Sequence, residues 1–163
     1  MANVDIPNGF KPRRSDPQVS WHPVAASQTL VFGDPVLLDT AGRIIIAVEN
    51  SSAALIGAMA GDSASAAVDT LVPVFDDPEE VFVAQFDGAP TRTAIYTTRA
   101  SAACFDLKGS TGVFEINEAA SSQDIVKVVG FPQSLPNGND NDLTAANALG
   151  YIKFEKHWLR PQS

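Results

Sequence analysis

Glycine and proline, eleven of each, are spread along the whole of this 163-residue chain and cut it into short runs rich in Val, Ile, Thr and Phe. β-Branched and aromatic side chains pack well on a pleated sheet, and each turn needs either the backbone freedom of Gly or the fixed φ of Pro. The pattern predicts an all-β fold. A chain of this length buries roughly 70% of the surface its unfolded form exposes, enough for one real core. Its 45% hydrophobic and 18% charged residues are the balance of a folded domain.

The strands can be placed along the chain. Runs at Thr29 to Phe32, Val36 to Leu38 and Arg43 to Val48 are separated by Gly33-Asp34-Pro35 and Asp39-Thr40-Ala41-Gly42, the second of which has hairpin chemistry. Ala54 to Ala60 reads as a buried strand, with helix as the alternative. Thr70 to Phe75 and Val81 to Phe86 follow, and the second is apolar almost throughout, so cover on both faces is expected. Further strands are expected at Ala94 to Thr98, Gly112 to Ile116, Ile125 to Phe131 and Tyr151 to His157. In the last, Ile152, Phe154, Lys156 and Trp158 alternate with Tyr151, Lys153, Glu155 and His157, so one side packs inward. Pro132 to Asn147 is a long polar surface loop and the element expected to be most flexible.

Residues 1–23 differ from the rest. Pro7, Pro12, Pro17 and Pro23 with Asn8-Gly9 exclude a helix or a central strand, and an extended arm ahead of a single β-rich domain at 24–163 is expected. Phe10, Val19 and Trp21 need a surface to cover them, on their own domain or on a neighbouring subunit.

The net charge of −8 is uneven. Residues 1–23 hold three cations (Lys11, Arg13, Arg14) against Asp5 and Asp16, a balance of +1; residues 151–163 hold Lys153, Lys156 and Arg160 against Glu155, a balance of +2. The body between them therefore carries −11. Such a body repels nucleic acid, so no nucleic-acid partner is expected. The asymmetry reads either as basic ends meeting an acidic neighbour or as an ordinary acidic domain. No apolar run approaches the roughly 20 residues that span a bilayer, and no export signal or membrane contact is expected.

Motifs for chemistry are scarce. GxSxG, Walker and GxGxxG patterns are absent, so an enzyme is not expected. His22 and His157 stand at opposite ends of the sequence without further ligands at useful spacing, and each reads as a surface or packing residue; no metal or cofactor is expected. Cys104 has no partner for an internal disulfide and reads as a small buried apolar group. The cluster Asp76-Asp77-Pro78-Glu79-Glu80 brings carboxylates together but lacks the glycine and spacing of a calcium loop, and a solvated turn outweighs an ion site.

Four segments carry a resemblance: Ala2-Asn3-Val4-Asp5-Ile6-Pro7-Asn8-Gly9-Phe10-Lys11-Pro12, Phe32-Gly33-Asp34-Pro35-Val36, the stretch from Val74-Phe75-Asp76-Asp77-Pro78 to Phe86-Asp87-Gly88, and the closing strand near His157. Together they are similar to a family of tailed-bacteriophage structural proteins, the capsid decoration, cement or head-fibre-like proteins. The similarity covers most of the chain in the same order and departs between about Thr91 and Ser110, where Tyr96-Thr97-Thr98-Arg99 replaces a more glycine-rich, acidic stretch. The resemblance implies a small β-barrel or β-tulip-like body, and strand spacing leaves a jelly-roll sandwich as the alternative. It also implies a homotrimer, or a dimer, on the outer surface of the virion capsid, bridging major capsid protein subunits and locking the expanded shell.

Aromatics and arginines dominate interface hot spots, so Phe10, Arg13, Arg14, Trp21, Trp158 and Arg160 are the expected contacts with the shell or sister subunits. On that reading, removing residues 1–23 weakens shell binding and leaves the body folded. Two other classes stand beside it. One is a low-copy head-fibre or receptor- or glycan-binding module using the Pro132 to Asn147 loop. The other, ranked last, is a small β-barrel enzyme using Asp76, Asp77 or Glu79 as acid and base.

Overall fold

The hairpin turn at Asp39 shows how local chemistry builds this protein. The Asp39 carboxylate accepts the N–H groups of Ala41 and Arg43, each at 2.8 Å, and Gly42 takes the positive φ of 77° that the turn requires. The flanking runs then pair as β3 (Pro35–Leu38) and β4 (Ile44–Ile46), with Leu37 opposite Ile45. The computed structural model describes residues 3, 5, 8–90, 104–119 and 123–159, and every helix-or-strand element among them is a strand. The others are β1 (Lys11–Pro12), β2 (Ser20–Pro23), β5 (Leu55–Met59), β6 (Leu71–Phe75), β7 (Phe82–Gln85), β8 (Cys104–Lys108), β9 (Glu115–Asn117), β10 (Val126–Gly130) and β11 (Leu149–Phe154). The strand expected at Ala94 to Thr98 lies outside the described residues.

The strands form two antiparallel sheets, ordered β1-β7-β11-β10-β8-β9 and β2-β6-β5-β3-β4. The all-β class is thus as the sequence predicts. Neither sheet is closed into a barrel, so the arrangement is that of the sandwich alternative and not the barrel first expected. Isolated bridges such as Val24 to Ile44 and Phe86 to Ile116 tie strand ends together.

The core explains the pairing. Leu55, Ala58 and Phe75 from the five-stranded sheet meet Phe82, Ala84, Ile152 and Phe154 from the six-stranded one, with the Phe82 and Phe154 rings 4.9 Å apart. On its other face the five-stranded sheet holds a second cluster, including Val36, Ile44, Ile56, Met59, Val72 and Val74. β5 therefore has apolar cover on both sides, and all five of its residues are buried. Gly57 at its centre is required, because a Cβ there would run into the Phe75 carbonyl of the neighbouring strand.

Two expectations fail locally. Thr29 to Phe32 is not a strand: the buried Asp34 carboxylate turns the chain by accepting the Val31 N–H at 2.8 Å, and only Leu30 bridges, to Ser63. The alternation in the last strand also breaks after Phe154. A bend at Glu155 and Lys156 reverses the parity, so His157 is buried and Trp158 faces out.

The N-terminal residues are woven into both sheets. β1 is the edge of the six-stranded sheet, with Lys11 opposite Val83, and β2 is the edge of the five-stranded sheet, with Trp21 opposite Pro73. Edge strands tolerate proline, because an N–H that points away from the sheet is not missed. Pro12 and Pro23 sit in these two strands. Between the edges Gly9 and Gly33 approach so closely that neither has room for a side chain, and the Phe10 N–H donates to the Gly33 carbonyl at 2.8 Å. The polar loop 132–147 carries its own framework. The Asn141 side chain donates to Pro132 O and Leu149 O and accepts from Leu149 N, while Asn3 reaches Asp142 O at 2.8 Å and Ala146 O at 3.0 Å.

Candidate interaction surfaces

The acidic turn between β6 and β7 is not simply solvated. Asp76 and Glu80 are buried, while Asp77 and Glu79 lie nearer the surface. The turn is a local construction in which the Asp77 carboxylate accepts the Glu79 N–H at 2.9 Å and the Glu80 N–H donates to Asp77 O at 3.0 Å. Its charges are met from elsewhere in the chain. Arg14 reaches Asp77 at 2.7 Å and Glu80 at 2.5 Å, Lys153 of β11 reaches Glu79 at 2.6 Å, and His22 Nε2 lies 3.0 Å from Asp76 Oδ2. Of the cations at the two ends of the sequence, Arg14 and Lys153 are thus met by the chain's own acidic turn. The Glu79 N–H holds the Asp77 carboxyl below the usual carboxylate range, and Arg14 adds to the effect.

That arrangement limits the chemistry available. Of the three carboxylates named as acid and base candidates, Asp77 and Glu79 are committed to cations and Asp76 faces His22. A histidine held by Asp76 is the orienting half of a nucleophile–base–carboxylate array, but among the described residues no hydroxyl or thiol is hydrogen-bonded to His22. Among those residues, too, no three His, Cys, Asp or Glu come together as metal ligands, and no helix is long and apolar enough to cross a membrane. Cys104 is half-buried on β8, and burial pushes its thiol up to about 11.

The six residues expected at an interface divide sharply. Phe10 is 0% exposed and stands edge-on to Phe154 with centroids 5.2 Å apart, so it is core and offers nothing to a partner. The expectation failed because a proline-rich segment gives no sign of which apolar residue its own domain will swallow. Arg14 is spent on the acidic turn, and Arg13 lies over the Tyr151 ring at 4.2 Å. Trp21 and Trp158 remain, 63% and 59% exposed. Arg160 lies outside the described residues.

Trp21 is part of a larger surface. Cross-strand neighbours share a face, so Trp21 lies beside Pro73 and Pro23 beside Leu71, while Val72 and Val74 point into the core. By the same alternation Phe75 shares the row of Leu71 and Pro73, opposite Val72 and Val74, but it is buried and packs edge-on against Phe32 at 5.8 Å. The sheet face that forms the core at Phe75 thus continues, uncovered, across Leu71, Trp21 and Val19, all of them exposed. Sequence reasoning found Trp21 and Val19 but not Leu71, whose exposure depends on the β2–β6 register. Trp158 projects separately: its N–H donates to Leu55 O at 2.7 Å, which fixes the backbone and turns the indole and Leu159 outward.

No family model and no curated protein sequence matches the chain.

Proposed function

We propose that this chain is a structural protein of a tailed-phage virion, a decoration or cement protein on the outer surface of the capsid that bridges major capsid protein subunits and stabilises the expanded shell. The observation that carries the reading is the open apolar row of Val19, Trp21 and Leu71 on an edge of the β body. Rigid aromatic side chains on a sheet lose little entropy on docking and are the residue type that dominates interface energies. The resemblance in the segments around Pro12, Pro35, Pro78 and His157 supplies the class of particle.

The mechanism is additive. A decoration protein needs no catalytic group; it needs a body that does not deform and apolar surfaces for the shell and for sister subunits. Assembly as a homotrimer, or as a dimer, repeats each contact by symmetry, and the array turns modest contacts into resistance to outward pressure. Trp21 and Trp158 are the contact residues under this reading, and its partners are the shell protein and sister copies, not nucleic acid or membrane. Co-sedimentation of the purified chain with undecorated expanded shells tests it. Saturable binding that is lost in Trp21→Ala supports the proposal, and absence of binding to expanded shells overturns it.

A further inference from the structure

The outer face of the six-stranded sheet carries a covered cleft at its β1 edge. Lys11, Val83, Gln85 and Leu149 share that face through the registers Lys11 to Val83 and Gln85 to Leu149. The turn at Leu135, Pro136 and Asn137 stands over them and completes a cavity of about 440 Å³. That volume lies within the range of small-molecule sites, about 300–1,000 Å³. The roof is built independently of any ligand. Gly138 N–H donates to Leu135 O at 2.9 Å across a turn with proline at its second position, and the Asn141 and Asn3 clamps hold the loop's stem.

The lining is polarised. Val83, Leu135 and Leu149 supply an apolar wall. Lys11 stands at one end, exposed and engaged in none of the ion pairs of the described residues. Asn137 accepts the Asn139 N–H through its side-chain oxygen, which leaves its NH2 group with no acceptor among the described residues. Two carboxylates stand at the opposite end, where Gln85 Nε2 donates to Asp5 at 2.9 Å and to Glu115 at 2.7 Å. Two residues along a strand separate the ends, about 7 Å. A ligand with an apolar body and an acceptor head therefore has one favourable orientation, with its head toward Lys11.

We propose that this cleft is a binding site for a small anionic amphiphile, an aromatic or aliphatic body lying against Val83, Leu135 and Leu149 with its carboxylate or sulfonate on the Lys11 ammonium. The site stands apart from the Trp21 surface and does not depend on the capsid reading. Titrating anilinonaphthalene sulfonate into the full chain tests it by fluorescence. One saturable site per chain is expected, weakened roughly fivefold in Lys11→Glu, where attraction becomes repulsion. The signal is abolished in Asn137→Trp, which fills the mouth of the cleft, and is unchanged in Trp21→Ala. Both cleft substitutions are at exposed positions, and an unchanged far-UV circular dichroism spectrum with a cooperative thermal melt verifies that they fold. Absence of a saturable site, or binding that survives both cleft substitutions, or binding lost in Trp21→Ala, overturns the proposal.

Discussion

The Arg14 guanidinium reaches the Glu80 carboxylate at 2.5 Å, and that carboxylate side chain is only 2% exposed. A cation from the N-terminal residues thus neutralises a buried anion in the turn that joins the two sheets. The pair ties segments 66 residues apart and takes up charge that, in the sequence, looks free for a partner.

Arg14→Ala is accordingly predicted to lower the melting temperature more than Arg13→Ala, because it strands a buried carboxylate whereas Arg13 loses only a stacking contact on Tyr151. The effect depends on pH. Asp77 has a folded pKa below its unfolded value, so its contribution is complete above about pH 4 and is lost as pH falls through the folded value. Melting curves between neutral and acidic pH should show the gap between wild type and Arg14→Ala narrowing in acid; a gap that widens there would contradict this account.

Phe10→Ala is predicted to cost about 3–5 kcal/mol, the usual range for removing a fully buried phenylalanine, read as a shift of the urea midpoint. Deletion of residues 1–23 removes Phe10 and an edge strand of each sheet. Its predicted outcome is loss of cooperative unfolding, not a folded body with weaker shell binding.

Cys104 should react slowly with iodoacetamide. A thiol moved from 9.0 to about 11 by burial holds roughly one hundredth of the thiolate at pH 8, so native alkylation is predicted to run about a hundredfold slower than in denaturant. Equal rates in the two states would contradict the burial described for β8.

Trp21→Ala and Trp158→Ala are predicted to change stability by less than about 0.5 kcal/mol, since both side chains are exposed. Shell binding should fall by about tenfold or more for Trp21→Ala, the scale of an interface hot spot. A large loss of melting temperature in either variant would place these indoles in the fold and not at a contact.

Much of the fold was legible where turn chemistry and β-branched runs agreed. The Asp39 turn, the buried β5 and the apolar β7 follow from their sequences. β8 did not stand out, because Asp106 in the middle of Cys104–Lys108 reads as a surface residue. In the structure it is buried and accepts the N–H groups of Gln123 at 2.8 Å and Asp124 at 3.1 Å. Edge strands β1 and β2 were hidden by their prolines, and the cation partners of the acidic turn by sequence separation. Of the surfaces, Trp21 and Trp158 could be named in advance. Phe10 could not be told from them, since an irregular segment carries no periodicity to say which face is inside.

The most direct test of the capsid reading is the copy number of this chain in purified virions, measured by quantitative mass spectrometry against the major shell protein. The account predicts a number comparable to that of the shell protein, as a decoration lattice requires. A number many times smaller, or absence from the particle, would contradict it.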